Sequence, residues 1–427
     1  MIPVPVRAVV RAFVAALFLL APARARAEEP LQLSLGDALA RAEKRAPDVV
    51  LARHAERAAA AKRVGAGVVM PENPRLAIDG RPLISGHTSP GSQREFGFAA
   101  TLEAPFDLGG APGARIREAE RTADVARAEL AVEQLRSKAT AWAAYVRTQV
   151  SAQRIVAAKA AAENARRILD ASKQRADSGA TGDIEQSLAA SDLAQIEALQ
   201  SEASRERALH LMELRDALDL PAEQLVELTT AVGTPDSAPP HDAIATRALQ
   251  NRPEVAVVKR RIELYDATEE RLSKEVFPRI GVYGGVDASP ANPVMGIIGL
   301  SFTLPVAQRN QSSRAVNAAQ RDGEAERGDL VSRRIAREVA AAYAAYDARR
   351  AELETLTTKA LPTAQRTYEL VELGWRSGRF DIFRVATAAR DMARVRSLVL
   401  DALEATWLER IALERAAGVI ETTRGPK

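Results

Sequence analysis

The chain has 427 residues, a formal charge of +3, no cysteine and an aromatic content of only 4%. Arg7, Arg11, Arg24 and Arg26 lie in the first 27 residues with no acid beside them, so removing these four cations takes the charge from +3 to −1, and no basic excess remains for nucleic acid. Without cysteine there is no disulfide framework and no thiol for lipid attachment, so packing alone must hold the fold.

Residues 1–27 read as a secretory signal. Arg7 and Arg11 precede an apolar run from Ala12 to Ala21, and Ala25-Arg26-Ala27 supplies a small-x-small cleavage pattern before Glu28. The alternative is a membrane anchor, but a run of this length is short of the roughly twenty residues that span a bilayer. No later apolar stretch approaches that length either, so any integral membrane contact has to be made by strands.

The rest of the chain says the same thing twice. Asp37-Ala38-Leu39-Ala40-Arg41-Ala42, Ala46-Pro47-Asp48-Val49 and Pro74-Arg75-Leu76-Ala77-Ile78 recur as Asp242-Ala243-Ile244-Ala245-Thr246-Arg247, Arg252-Pro253-Glu254-Val255 and Pro278-Arg279-Ile280-Gly281-Val282. Slippage of one or two residues between the registers indicates a duplicated unit. The first repeat covers 28–220 and the second 242–420, with a linker at 221–241 and a short tail at 421–427.

Each repeat switches from helical periodicity to a hairpin, at about 75–105 and about 279–305. Phe96, Phe98, Ala100 and Leu102 alternate with Glu95, Gly97, Ala99, Thr101 and Glu103, and Ile298, Leu300, Phe302 and Leu304 alternate with Gly299, Ser301 and Thr303. Turn-rich segments at 85–92 and 288–293 join each pair. A soluble sheet packed on helices gives the same alternation. Strands of this length with one greasy face and one small or polar face, in a chain with an export signal, also fit a transmembrane barrel wall, with Phe96, Phe98, Leu102, Ile298, Leu300 and Phe302 toward lipid. The low aromatic content leaves weak interfacial girdles. Four strands cannot close a barrel in lipid, so several chains must share one.

Helical arms follow each hairpin, at 111–220 and 312–418. Residues 114–178 contain neither glycine nor proline, and a continuous helix of that length spans roughly 100 Å. It returns over 183–220. The second arm runs most clearly from about 329 to 374, with a kink at Pro362, and returns from 381 to 418. Alanine seams such as Ala119, Ala123 and Ala126, or Ala139 and Ala143, suit close antiparallel coiled-coil packing.

Enzyme chemistry finds no anchor. His54, His87, His210 and His241 fall in separate elements without metal-ligand spacing, and no phosphate loop, dinucleotide fingerprint or nucleophile elbow is present. No cofactor is expected.

Several segments together resemble the TolC-like outer membrane factors, in the branch that serves metal and drug pumps. They are Leu33-Ser34-Leu35-Gly36-Asp37-Ala38-Leu39, Ala104-Pro105-Phe106-Asp107-Leu108-Gly109-Gly110, Thr303-Leu304-Pro305-Val306, Ala360-Leu361-Pro362 and Gly374-Trp375-Arg376-Ser377-Gly378-Arg379-Phe380-Asp381-Ile382. The resemblance implies a mainly α fold with a β-barrel portion. Three identical chains each give four strands to a twelve-stranded barrel, and their helices form a coiled-coil tunnel across the periplasm. It implies an outer membrane exit duct for drugs or metal ions, working with a periplasmic membrane-fusion adaptor and an inner-membrane pump of the RND type. A duct for type I protein secretion shares this architecture, and a soluble periplasmic scaffold is the more distant alternative.

By the same resemblance the adaptor meets the tips at Ser178, Gly179, Thr181, Ser377, Gly378, Arg379 and Phe380. The entrance is expected at Asp381 and Arg384, with Asp183 and Gln186 on the neighbouring tip. The prototype carries two acids three apart at the entrance, and here Arg384 takes the second place. An Asp and an Arg on one helix face largely neutralise each other, so the sequence predicts a nearly neutral ring or a plain solvated salt bridge.

Overall fold

The computed structural model describes residues 30–84, 94–177, 183–289 and 292–420. The expected signal, the 85–92 loop, the first helical tip at 178–182 and the tail lie outside the described residues.

A short strand β1 (Leu31–Leu33) leads into α1 (Leu35–Arg45) and α2 (Pro47–Ala61). Then come β2 (Arg75–Ile84), β3 (Arg94–Phe106), α3 (Ala111–Asp177) and α4 (Asp183–Ala217). Strand β4 (Val226–Leu228) lies in the segment read as linker and pairs in parallel with β1. The second series is α5 (His241–Asn251), α6 (Pro253–Lys274), β5 (Arg279–Ser289), β6 (Asn292–Thr303), α7 (Gln311–Thr355), α8 (Leu361–Arg376) and α9 (Ile382–Ala416).

Local chemistry explains the boundaries. Ser34 caps α1 by accepting from the Asp37 N–H at 3.1 Å. Pro47 and Pro253 open α2 and α6, where a missing N–H costs nothing. Helix α7 begins some way before the glycine-free run read from the sequence and passes through Gly323 and Gly328. Gly328 is useful there, because a Cβ on it would come within 3.2 Å of Val258 Cγ1 on α6. Pro362 does interrupt the arm: it has no N–H for the carbonyl one turn back, and the chain widens into a π turn at Leu356–Ala360. The Thr358 hydroxyl donates instead to the Glu354 carbonyl at 2.6 Å.

The 67-residue α3 is the axis of the molecule. Its first half lies between α2 and α6, tied to α6 by Arg117 with Glu270 and by Arg261 with Glu129 (2.7 Å). Its second half lies between α4 and α9, where Arg154 bridges to Asp401 at 2.8 Å and to Glu404 at 2.9 Å. Helices α7 and α8 complete the layer beyond α6 and α9. Two side-by-side layers of four helices therefore stack end to end.

Around the middle, α1, α5 and the β1–β4 pair pack on the long helices. The core there joins Leu39, Trp142, Val146 and Val150 with Leu353, Leu403 and Ile411. The fully buried Tyr145 hydroxyl accepts from the Thr230 N–H at 2.9 Å and lies 3.2 Å from the Leu33 carbonyl oxygen. Burial pushes its phenol above the ordinary value. Tyr346, at the matching place in the second repeat, donates to the Asp236 carbonyl.

Candidate functional site: the strand wall and the helical tips

The four long strands form one antiparallel sheet in the order β2-β3-β5-β6. The hairpins of the two repeats are thus joined directly, β3 to β5, which periodicity alone did not reveal. Residues directly opposite in such a ladder share a face. Leu76 opposes Leu102, which opposes Gly284, which opposes Ile298; Ala104 opposes Val282, which opposes Leu300; and Phe106 opposes Ile280, which opposes Phe302. One unbroken apolar face results. It contains all six residues assigned toward lipid, from Phe98 at 43% exposure to Ile298 at 88%.

The opposite face is mostly polar or small and closely fitted, with Met295 and Ile297 its exposed apolar members on β6. Arg81 pairs with Asp287 at 3.3 Å, and the Ser301 hydroxyl donates to Glu103 Oε1 at 2.7 Å. Thr101, Gly285, Gly281 and Arg279 lie on this side by register. An apolar face left in the open beside a polar face that is internally bonded is the reverse of a soluble sheet resting on helices. It is what a wall between lipid and water requires. Among the described residues both edges, β2 and β6, have no strand partner.

Where β3 passes into α3, Asp107 is buried between Arg115 (2.7 Å) and Arg279 (3.1 Å). Arg115 also donates to the carbonyls of Ala66 and Val68 at 3.1 and 2.7 Å. In sequence Asp107 is distinguished only as part of the Ala104–Gly110 segment. The cue available was a lone acid beside Gly109-Gly110, but its partners come from two other elements.

At the other end, the described tip joins α8 to α9. Gly378 takes φ +76°, and the Arg379 N–H returns to the Gly374 carbonyl at 2.8 Å, a helix stop that glycine suits. The Ser377 hydroxyl donates to the same carbonyl at 3.0 Å. Phe380 folds over Gly374, where any Cβ would overlap its ring. Trp375 is buried, with the Arg175 guanidinium 5.7 Å from its ring centre.

Asp381 does not spend its carboxylate on Arg384's side chain. It caps α9 by accepting from the Arg384 main-chain N–H at 3.0 Å, while the Arg384 guanidinium lies 5.0 Å from the Phe380 ring centre. The expected Asp381–Arg384 side-chain salt bridge is therefore corrected, because capping and the neighbouring ring satisfy the two groups separately. Asp183 and Gln186 lie in the first turn of α4, Asp183 exposed and Gln186 half-buried. Ser178, Gly179 and Thr181 fall outside the described residues. Among the described residues no cluster of three or more His, Asp or Glu could hold a metal ion, and no helix is long and apolar enough to cross a membrane.

A strand wall with a lipid-type outer face, carried on helices of tunnel length, defines the class: a membrane duct. The chain belongs to the outer membrane efflux protein family, whose model matches residues 38–219 and 244–419. It is 26% identical to the cobalt-zinc-cadmium resistance protein CzcC of Cupriavidus metallidurans over 325 residues, 75% of this chain and 76% of that one. Its fold matches the Campylobacter jejuni CmeC outer membrane channel (TM-score 0.72, 14% identity, 90% of this chain and 85% of the other). It also matches the open-state Neisseria gonorrhoeae MtrE outer membrane channel (TM-score 0.66, 16% identity, 90% and 88%). The protein is an outer membrane efflux channel, a passive conduit and not an enzyme.

Proposed function

We propose that three copies of this chain close a twelve-stranded barrel in the outer membrane and continue into the periplasm as a helical tunnel. In this reading the tunnel receives metal ions or drugs from an adaptor and an RND-type inner-membrane pump. The observation that carries it is the pair of open sheet edges. Four antiparallel strands per chain is an even number, so β6 of one copy runs antiparallel to β2 of the next and the ring closes without a mismatch. Unpaired edges cannot remain in lipid. Large apolar residues are exposed along the helices too, Leu51, Leu199 and Met212 on α2 and α4 and Val316, Leu330 and Leu370 on α7 and α8, which supports contact with further copies. A groove of about 390 Å³ between α3, α4 and α9, floored by Ala157, Ala161, Ala389 and Ala393, leads toward the tips and suits a partner helix. The name of the CzcC relative favours metal cations as cargo.

Detergent-extracted protein is expected to be a trimer by native mass measurement, found with the outer membrane and resistant to carbonate washing. A membrane-integrated monomer overturns the shared barrel, and a protein washed off by carbonate overturns the wall.

The entrance belongs to the same proposal. Asp381 and Arg384 in three copies form a nearly neutral ring, which focuses little field on a multivalent cation. Arg384→Asp should tighten block by hexaamminecobalt in planar-bilayer recordings; unchanged block removes Arg384 from the entrance.

A further inference from the structure

On the closed-barrel reading the polar sheet face lines the lumen, and two of its large side chains do not stand up from the wall. Tyr283 on β5 is directly opposite Gly299 on β6. A Cβ on Gly299 would overlap Tyr283 Cζ and Oη and stand 2.8 Å from Cε1, so the phenol ring lies flat across the bare backbone of β6. One row nearer the helices the device repeats. Gly281 opposes Ser301, and a Cβ there would overlap Ser301 Oγ and stand 2.8 Å from Glu103 Oε1. The Glu103 carboxylate, held by the Ser301 hydroxyl at 2.7 Å, is laid over Gly281 in the same way.

Glycine is a poor strand residue: it costs backbone entropy and offers nothing to pack. Two of them beneath Tyr283 and Glu103, which oppose each other across β3 and β5, therefore require a reason on this face. The free width of a wide barrel is set by how far its inward side chains protrude. An upright tyrosine reaches several ångströms further from the wall than one lying on glycine, and a symmetric assembly repeats the change in every copy at one height.

We propose that Gly299 and Gly281 are width-setting residues of the conduit: by lacking side chains they let Tyr283 and Glu103 lie against the wall and keep the conducting cross-section open. The inference rests on the closed-barrel reading above. It makes Tyr283 the residue that narrows the lumen when its resting place is filled.

The test is single-channel conductance in planar bilayers. Gly299→Ala is expected to lose conductance with insertion and oligomeric state unchanged, since alanine is at least as good a strand residue as glycine. The double variant Gly299→Ala with Tyr283→Ala is expected to regain at least the unmodified conductance, because no ring remains to be displaced. A merely structural glycine would show lower thermal stability with normal conductance, and no rescue. Unmodified conductance in Gly299→Ala pores, or a double variant that stays low, overturns the width-setting role alone. Absence of pores from the unmodified protein overturns the closed-barrel reading and this role with it.

Discussion

The two places where strand turns into helix occupy the same station in the two repeats and are built from different chemistry. Both turn on a residue with left-handed backbone, Gly110 at φ +82° and Asn310 at φ +56°. The first is then clamped by charge, with Asp107 buried between Arg115 and Arg279, and Gly109 pressed against Phe277. The second is held mostly by side-chain bonds to carbonyls, Asn310 Nδ2 to Leu272 at 3.0 Å, Gln311 Nε2 to Ala307 at 3.1 Å and Arg309 Nε to Pro305 at 3.1 Å, with its ion pair, Arg314–Glu269, at the surface. The difference follows from position in the sheet. The first junction sits at the β3–β5 seam, where Asp107 is buried while its partners Arg115 and Arg279 stay partly exposed. The second sits behind β6, at an edge of the four-stranded sheet, where a charge would have fewer neighbours to bury and pair it. Duplication supplied the geometry, and the seam decided where an acid is buried.

The comparison breaks most visibly at Asp107. Asp107→Asn removes the buried carboxylate of Arg115, while Arg279 keeps Glu72, and should cost about 3 kcal/mol, read as a lower midpoint in urea titration of the detergent-solubilised protein by circular dichroism. No single change at Asn310 should approach it. Next is Gly109→Ala, whose methyl would overlap Phe277 Cβ and Cγ; a loss of about 1–3 kcal/mol is expected, and the pair Gly109→Ala with Phe277→Ala should be less damaged than the two losses summed. Exchange of the turn residues is subtler. Gly110→Ala should cost about 1 kcal/mol for its left-handed backbone, whereas Asn310→Gly should be nearly silent, losing one neutral bond and relieving the same strain. A Gly110→Ala protein as stable as the parent would show that the first turn relaxes and that the clamp alone sets the bend. The smallest effect is at the far end of the arms. Asp381→Ala removes the α9 cap and should cost about 1 kcal/mol, seen first as faster amide exchange in the first turn of α9, with the junctions unaffected.

Much of this could be read along the chain because it depends on neighbours in sequence. The period-two runs at Phe96–Leu102 and Ile298–Phe302 specified which side chains share a face, since a strand leaves no other choice. The glycine-free run at 114–178 gives one helix of the length expected, and in the second arm Gly378 marks the stop of α8. In the same way Asp381 was legible as a residue of the tip, though not as a cap, because a cap and a salt bridge begin from the same spacing of three.

What only the tertiary structure decided depends on residues far apart in sequence. No local pattern pairs β3 with β5, draws Leu31–Leu33 to Val226–Leu228, sends Tyr145 to Thr230 and Tyr346 to Asp236, or brings Arg279 to Asp107. Likewise Gly299 reads as a weak point in a strand until Tyr283 is seen lying on it. Periodicity reports which face a side chain takes, because that is set by its own backbone. It cannot report what the face meets, because that is set when elements hundreds of residues apart compete for the same buried surface.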